Sequence, residues 1–259
     1  MNDTTKDKYY NKFLNNGFVI IKIFSKSDID FFKKKITSKI NSSLGFKKKF
    51  DYKDILNFHL LFNKNEKEKI LISKNRRIPI NLYLKNKVIK NKFLNLILNK
   101  LWGHKEKDIY WVGNPEKKEF KKNFIGFRVV RPKKNKDAAK YHIDAYSRND
   151  KSFVSIWVPI QGFSNLYSMG LLNGSHKIFH KKEFFNTNKK VISKIFKKKY
   201  ISKFRPIKPN LKPGECVLFH SNLIHGGGIN TGQNSRVSVE FRIFNKKFFN
   251  KNTTFNWVY

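Results

Sequence analysis

The sequence predicts an α+β fold whose core is mainly β, a sandwich or barrel with N-terminal helices packed on it. Three observations carry that expectation. Apolar residues recur at helical spacing in two segments of the first 110 residues. From about residue 123 the texture changes to short runs rich in β-branched and aromatic residues, bounded by Gly, Pro, Asn and Asp. No internal repeat and no Pro/Gly/Ser-rich linker divides the chain, so residues 1–259 read as one domain, with a helical part over about 1–110 and a β core over about 120–245.

Taken in order, GFVIIKIF at residues 17–24 reads as a short buried strand. Ser25 or Ser27 can then cap a helix whose Ile29, Phe32, Ile36 and Ile40 share one stripe. A second helix is expected over 86–102, with Ile89, Phe93, Leu96, Ile97 and Leu101 on one face and Gly103 just past its end. FIGFRVVRP, SFVSIWVPI, ECVLF and RVSVEFRIF read as strands, and residues 177–205 as a Lys/Phe-rich insertion with some helical periodicity.

Composition narrows the class. A chain of 259 residues that is 39% hydrophobic and 15% aromatic has enough apolar surface for a sizeable core, which excludes wholesale disorder. The 56 Lys and Arg against 18 Asp and Glu leave a net charge of +38, a value that suits nucleic acid or an anionic membrane. Only eight of those bases are Arg, the better bidentate phosphate ligand. The lysines are scattered as KK and KKK among many Asn, Ile and Phe, the pattern of an AT-rich coding bias, and nucleic acid is not the favoured partner. A field of this sign still favours small anions. The start MNDTTKDKYY has no apolar leader region, GFVIIKIF is too short to span a bilayer, and the lone Cys216 suits a reducing compartment. A cytoplasmic location is expected.

The histidines carry the chemistry. In KYHIDAY, His142 and Asp144 are two apart, so on a strand they share a face while Ile143 turns away. His225 follows an apolar strand and precedes three glycines, which permit close approach of backbone or ligand. Two histidines and a carboxylate are the donor set of non-haem iron oxygenases. Eleven residues beyond His225, Arg236 opens another strand and can grip a carboxylate bidentately. His59, His104, His176 and His220 suit structural roles, His220 facing the opposite side from the site. Arg128 and Arg131 suit either surface charge or an anionic substrate. Tyr146 and Arg148 follow Asp144 on a pocket loop. Asn230 and Thr231 suit either a turn or a cosubstrate contact.

His142-Ile143-Asp144, Trp157 in the next strand, GLLNGSHK and PGECVLFHSNLIHGGGINTGQNSR together resemble the phytanoyl-CoA dioxygenase family of Fe(II)/2-oxoglutarate-dependent dioxygenases, over residues 123–244. The resemblance implies a double-stranded β-helix, a cupin-like jelly roll with the metal at its open end. It implies that His142, Asp144 and His225 bind Fe(II), that Arg236 holds the distal carboxylate of 2-oxoglutarate and that Trp157 lines the same pocket. O₂ is then the second cosubstrate, ascorbate a stimulant, and the reaction hydroxylation of a small molecule with release of succinate and CO₂; the net charge suits an anionic one. Asn173 stands where the family usually has Pro before Gly-Ser-His, which bears on substrate and not on metal. Two other readings stay open. One is a nucleic-acid or protein demethylase of the same superfamily, because Arg236 and Arg242 in RVSVEFR resemble the R-x₅-R of nucleic-acid dealkylases. The other is a non-catalytic jelly-roll binding protein, or a cupin holding zinc.

Overall fold

A computed structural model describes residues 3–45, 50–62, 76–79, 81–103, 110–112, 114–116, 119–144, 153–178, 185–188, 191–226 and 228–245. The chain begins with helix α1 (Asp3–Asn16), which the sequence reading did not anticipate, and turns at Gly17 (φ +79°) into strand β1 (Phe18–Lys22). Helix α2 (Lys26–Leu44) starts where expected. Ser25 accepts a hydrogen bond from the Asp28 amide at 3.3 Å while Asp28 accepts from the Ser25 amide at 2.6 Å, a reciprocal capping box. Ile29, Phe32, Ile36 and Ile40 are all buried on its inward stripe.

A short helix α3 (Phe58–Phe62) and strand β2 (Arg77–Pro79) come next. The helix expected over 86–102 is two helices, α4 (Leu82–Ile89) and α5 (Lys92–Trp102). Asn91 divides them. Its backbone is extended, its side-chain oxygen caps the Leu94 amide at 3.0 Å, and its amide donates to the Lys22 carbonyl of β1 at 3.0 Å. Gly103 closes α5 in the left-handed conformation (φ +69°), as a C-terminal glycine does.

The remaining strands are β3 (Tyr110–Val112), β4 (Asn114–Glu116), β5 (Glu119–Val130), β6 (His142–Ile143), β7 (Phe153–Gln161), β8 (Gly170–Leu172), β9 (Phe185–Asn188), β10 (Val191–Phe196), β11 (Pro206–Ile207), β12 (Glu215–His220), β13 (His225–Gly226) and β14 (Arg236–Asn245). The described residues of 177–205 include two strands and a 3₁₀ stretch over 198–203, where the sequence showed some helical periodicity. Asn186 and Asn188 pair with β10, so sheet pairing overrode the local period.

Among the described residues all pairings are antiparallel and form two sheets. The larger runs β1-β12-β7-β14-β5-β2, with β3 on β14 and β4 on β5; the smaller runs β11-β8-β13-β6-β10-β9. This is the two-sheet arrangement of the double-stranded β-helix that the sequence resemblance implies. Alternation along the large sheet separates two environments. Ile156, Val158, Val237, Val239, Phe241, Phe127 and Val129 pack with the helices in one apolar cluster. Trp157, Val217, Phe219, Met169 and Leu171 fill the space between the sheets. Each fully buried side chain of this kind contributes roughly 1.5–3 kcal/mol, and that burial holds the sheet faces in register. Among the described residues no helix is long and apolar enough to cross a membrane.

Candidate active site

The site is built where β6 and β13 pair, because His142 and His225 are direct cross-strand partners and therefore face the same side. Their rings lie 4.3 Å apart. Asp144 follows β6 and its amide donates to the Ser221 carbonyl at 3.1 Å, which turns the carboxylate inward. Asp144 Oδ1 is 3.8 Å from Nε2 of both histidines, and one donor atom from each residue lies within 4.8 Å of the others. Ile143 points the other way, into a separate apolar cluster with Leu172, Phe196 and Ile224.

Hydrogen bonds decide which ring nitrogens face inward. Nδ1 of His142 donates to the Lys140 carbonyl at 2.7 Å and Nδ1 of His225 to the Leu223 carbonyl at 2.9 Å. A carbonyl only accepts, so each neutral ring keeps its lone pair on Nε2. His225 Nε2 is buried and has no hydrogen-bond partner. A buried acceptor left unmade is costly unless a ligand completes it, and two imidazole nitrogens with one carboxylate oxygen suit a divalent transition metal such as iron. Burial, then the charge of His225, push the His142 pKa down to about 4, which keeps the ring neutral and able to ligate.

Asp144 is held from the large sheet. Its Oδ1 accepts from Arg242 Nη2 at 2.9 Å and its Oδ2 from Ser155 Oγ at 2.7 Å. Burial opposes ionisation, yet Arg242, His225, His142 and that hydroxyl keep the carboxyl well below the usual carboxylate range. Neither Ser155 nor the contact of Arg242 with Asp144 was foreseen. The signal was present in RVSVEFR, where a period of two puts Arg236, Ser238, Glu240 and Arg242 on one face opposite Val237, Val239 and Phe241. A polar face on a buried strand marks a polar cavity.

Arg236 lies at the other end of that face, 3% exposed. Its Nη1 donates to the carbonyls of Gly228 at 2.9 Å and Tyr167 at 3.1 Å, while Nε has no partner. Gly228 is required here, because a Cβ on it would stand 2.5 Å from Met169 Cα and 3.0 Å from Arg236 Nη1. Burial, then the charge of Arg128, push the Arg236 pKa down to about 9, so it stays a cation at neutral pH. Trp157 pairs with Glu240 and Val217, on the floor between Arg236 and the triad.

The other candidates sort clearly. Arg131 is fully buried in a two-pronged ion pair with Asp137, both contacts 2.8 Å, so it is neither surface charge nor substrate-facing. Arg128 is half-buried on the inner face beside Ser238. His220 faces away from the site. His176 stacks on it at 5.4 Å and bonds the Leu14 carbonyl at 2.9 Å, so the pair ties α1 to the β core. His59 contacts Ser235 and the Leu56 carbonyl. The Asn230 amide is spent on the Val130 and Asn234 carbonyls and Thr231 bonds the Leu166 carbonyl, both turn roles. Asn173 precedes Gly174 and Ser175, whose hydroxyl accepts from the Ile224 amide at 2.9 Å beside His225. His104, Tyr146 and Arg148 lie outside the described residues.

The sequence profile of the phytanoyl-CoA dioxygenase family (PhyH) matches residues 84–238. No curated protein sequence matches the chain. Among solved structures, the chain is similar to the epimerase SnoN in complex with Fe3+, alpha ketoglutarate and nogalamycin RO (11% identity, 94% of this chain and 84% of that one, TM-score 0.56). It is also similar to the non-heme alpha ketoglutarate dependent carbocyclase SnoK from nogalamycin biosynthesis (12% identity, 92% and 83%, TM-score 0.54) and to EvdMO1 (16% identity, 93% and 50%, TM-score 0.55). At these identities the likeness carries the fold, and the family match carries the chemistry. The chain belongs to the phytanoyl-CoA dioxygenase family of Fe(II)- and 2-oxoglutarate-dependent oxygenases.

Proposed function

We propose that this oxygenase hydroxylates a small molecule bearing an anionic group, with His142, Asp144 and His225 as the iron ligands and Arg236 as the anchor of 2-oxoglutarate. The unpartnered, buried Nε2 of His225, converging with His142 and Asp144, is the observation that carries the reading. Bound iron would supply O₂ activation coupled to decarboxylation of 2-oxoglutarate to succinate and CO₂. The chain's own part is positional. The Nδ1 bonds fix both imidazoles, Arg242 and Ser155 fix the carboxylate, and Arg236 offers a buried guanidinium to the far end of a dicarboxylate. Trp157, Phe219 and Leu223 supply buried apolar surface between the sheets beside the polar face of β14. Asp144 would supply a third protein donor beside the two histidines, and hydroxylation of the substrate is the expected outcome.

The proposal takes residues 1–259 as a single cytoplasmic oxygenase domain, supported by β1 and β2 of the helical part completing the large sheet. Engagement of Arg242 with Asp144 accounts for the R-x₅-R spacing without a nucleic-acid base, which disfavours the dealkylase reading. The test is metal content and succinate formation in His142→Ala, Asp144→Ala and His225→Ala. Each should lose iron and turnover while the fold survives, and a double variant should be little worse than a single one. Full iron occupancy in either histidine variant would overturn the assignment.

A further inference from the structure

Three loops converge on Arg236. Residues 163–169 lead into β8, residues 208–211 follow β11, and residues 228–234 lead into β14. The third loop lies against the first, since a Cβ on Gly228 would stand 2.6 Å from the Ser168 carbonyl oxygen. Ser168 Oγ donates to the Pro209 carbonyl and the Leu211 amide to the Phe163 carbonyl at 2.9 Å, which pins the second loop to the first. Asn230 holds the third, its side-chain amide donating to the Val130 and Asn234 carbonyls. Ile207, the last residue of β11, packs on the apolar cluster that contains Trp157, so the loop carrying Lys208 borders the space between the sheets.

Two cations hang from neighbouring carbonyls of this junction. Arg236 Nη1 donates to the Gly228 carbonyl at 2.9 Å, and half-buried Lys208 donates through Nζ to the next one, Ile229, at 3.2 Å. They come from different sheets, Arg236 opening β14 of the large one and Lys208 following β11 of the small one. Among the described residues neither has a carboxylate within ion-pair distance. Asp137, whose charge does reach Arg236, is spent on Arg131. Burial, then the charge of Arg236, push the Lys208 pKa down, so the two cations sense each other with no protein anion to offset them. Unspent donors remain on both. Lys208 uses one of three N–H groups on a carbonyl, and Nε and Nη2 of Arg236 reach no acceptor among the described residues. Like charges gathered without a counter-ion work against folding and are kept where function uses them.

We infer that Lys208 is a second cation of the cosubstrate anchor, gripping the far carboxylate of 2-oxoglutarate from the small sheet while Arg236 grips it from the large one. This rests on the oxygenase reading above and adds to it a residue that sets cosubstrate specificity. Two cations on one carboxylate select a 2-oxo acid with an anionic tail over one whose tail is neutral.

Calorimetry on the full chain loaded with redox-inert Zn(II) tests this with two ligands. One is 2-oxoglutarate. The other is 2-oxopentanoate, which keeps the keto-acid end and carries a methyl in place of the far carboxylate. Lys208→Gln leaves a donor for the Ile229 carbonyl and removes the charge. It should bind 2-oxoglutarate about tenfold more weakly and 2-oxopentanoate within about twofold of native protein. Lys208→Arg, which keeps the charge, should retain most of the affinity for 2-oxoglutarate. Lys212→Gln, at an exposed lysine in the same loop, controls for the net charge and should change neither ligand. Unchanged 2-oxoglutarate affinity in Lys208→Gln overturns the inference. So does an equal loss for both ligands, which marks a structural role, or an equal loss in Lys212→Gln, which marks the general field. Any of these results beside tight binding of 2-oxoglutarate to native protein leaves the oxygenase reading standing. Native protein that binds no 2-oxoglutarate overturns both.

Discussion

Replacing Arg242 with Met should destabilise the metal-free protein more than the metal-loaded one. In the native fold the Asp144 carboxylate is buried with Arg242 Nη2 at 2.9 Å as its full cation and Ser155 Oγ at 2.7 Å as a neutral donor. Methionine keeps the packing against the Phe153 ring, over which the guanidinium now lies at 5.3 Å, but leaves the carboxylate without its cation. Removing one partner of a buried pair costs roughly 3–5 kcal/mol. At about 2–4 °C per kcal/mol for a chain of this length, the metal-free melting temperature should drop on the order of 10 °C. A bound divalent ion returns a positive charge to the same carboxylate, so saturating Zn(II) should raise the melting temperature of the variant by more than it raises that of the native protein. Arg242→Lys, with its charge but no planar fork, should lie between. Differential scanning fluorimetry with chelator and with Zn(II) reads both quantities. A metal-free Arg242→Met that melts with the native protein, or an equal gain from Zn(II) in both, would refute the idea that Arg242 neutralises Asp144.

Arg236→Ala should weaken 2-oxoglutarate binding at least about a hundredfold by calorimetry, since the carboxylate would face a pocket without its cation; an unchanged dissociation constant would show another anchor. Gly228→Ala should also weaken it, because the new methyl displaces either Met169 or the Arg236 guanidinium, and a native-like affinity would mean that loop yields freely. In the metal-free protein the folded His142 pKa, about 4, lies below its ordinary 6.5, so between those values the unfolded chain binds the proton that the native state refuses. Stability should therefore be level above pH 6.5 and fall as pH drops toward 4; urea midpoints that rise over that interval would contradict it. Asp137→Asn should cost several kcal/mol by stripping buried Arg131 of its counter-ion, read as a lowered urea midpoint with metal content intact.

Much of the site was legible because its spacing is a strand's spacing. The shared face of His142 and Asp144, two apart, and of Arg236 with Arg242 follows from strand periodicity, while the choice of these residues as candidate ligands and anchor came from the family resemblance. The partners of those residues were hidden for the opposite reason. Ser155 and Ser221 meet Asp144 from other strands and loops, and no local pattern connects residue 144 with 155, 221 or 242. Arg131 misled because a charged residue beside a proline reads as surface, whereas Asp137 folds back to bury it through a tight turn at Lys133 (φ +55°). In the fold, the strands with a clear period of two were found. The strands at 185–188 and 191–196 were missed because FNTN has little strand propensity of its own and pairs with VISKIF, whose apolar residues at 191, 192, 195 and 196 also fit a helical period and which β6 holds as a strand.

Strand β1 closes one edge of the large sheet by pairing with β12, Ile21 opposite Cys216, and β2 lies at the far edge against β5. During synthesis the N-terminal strand must therefore wait for nearly the whole chain to emerge before its hydrogen-bonding partner exists. Contacts of such high sequence separation make folding slow, and an unpaired FVIIK segment is a template for intermolecular pairing in the interval. Helix α1 packs on β1 and α5 in the folded protein and is the element next to that segment in the chain. Removing residues 1–22 would expose the β12 edge permanently, and the expected result is aggregation during expression in place of a soluble apoenzyme.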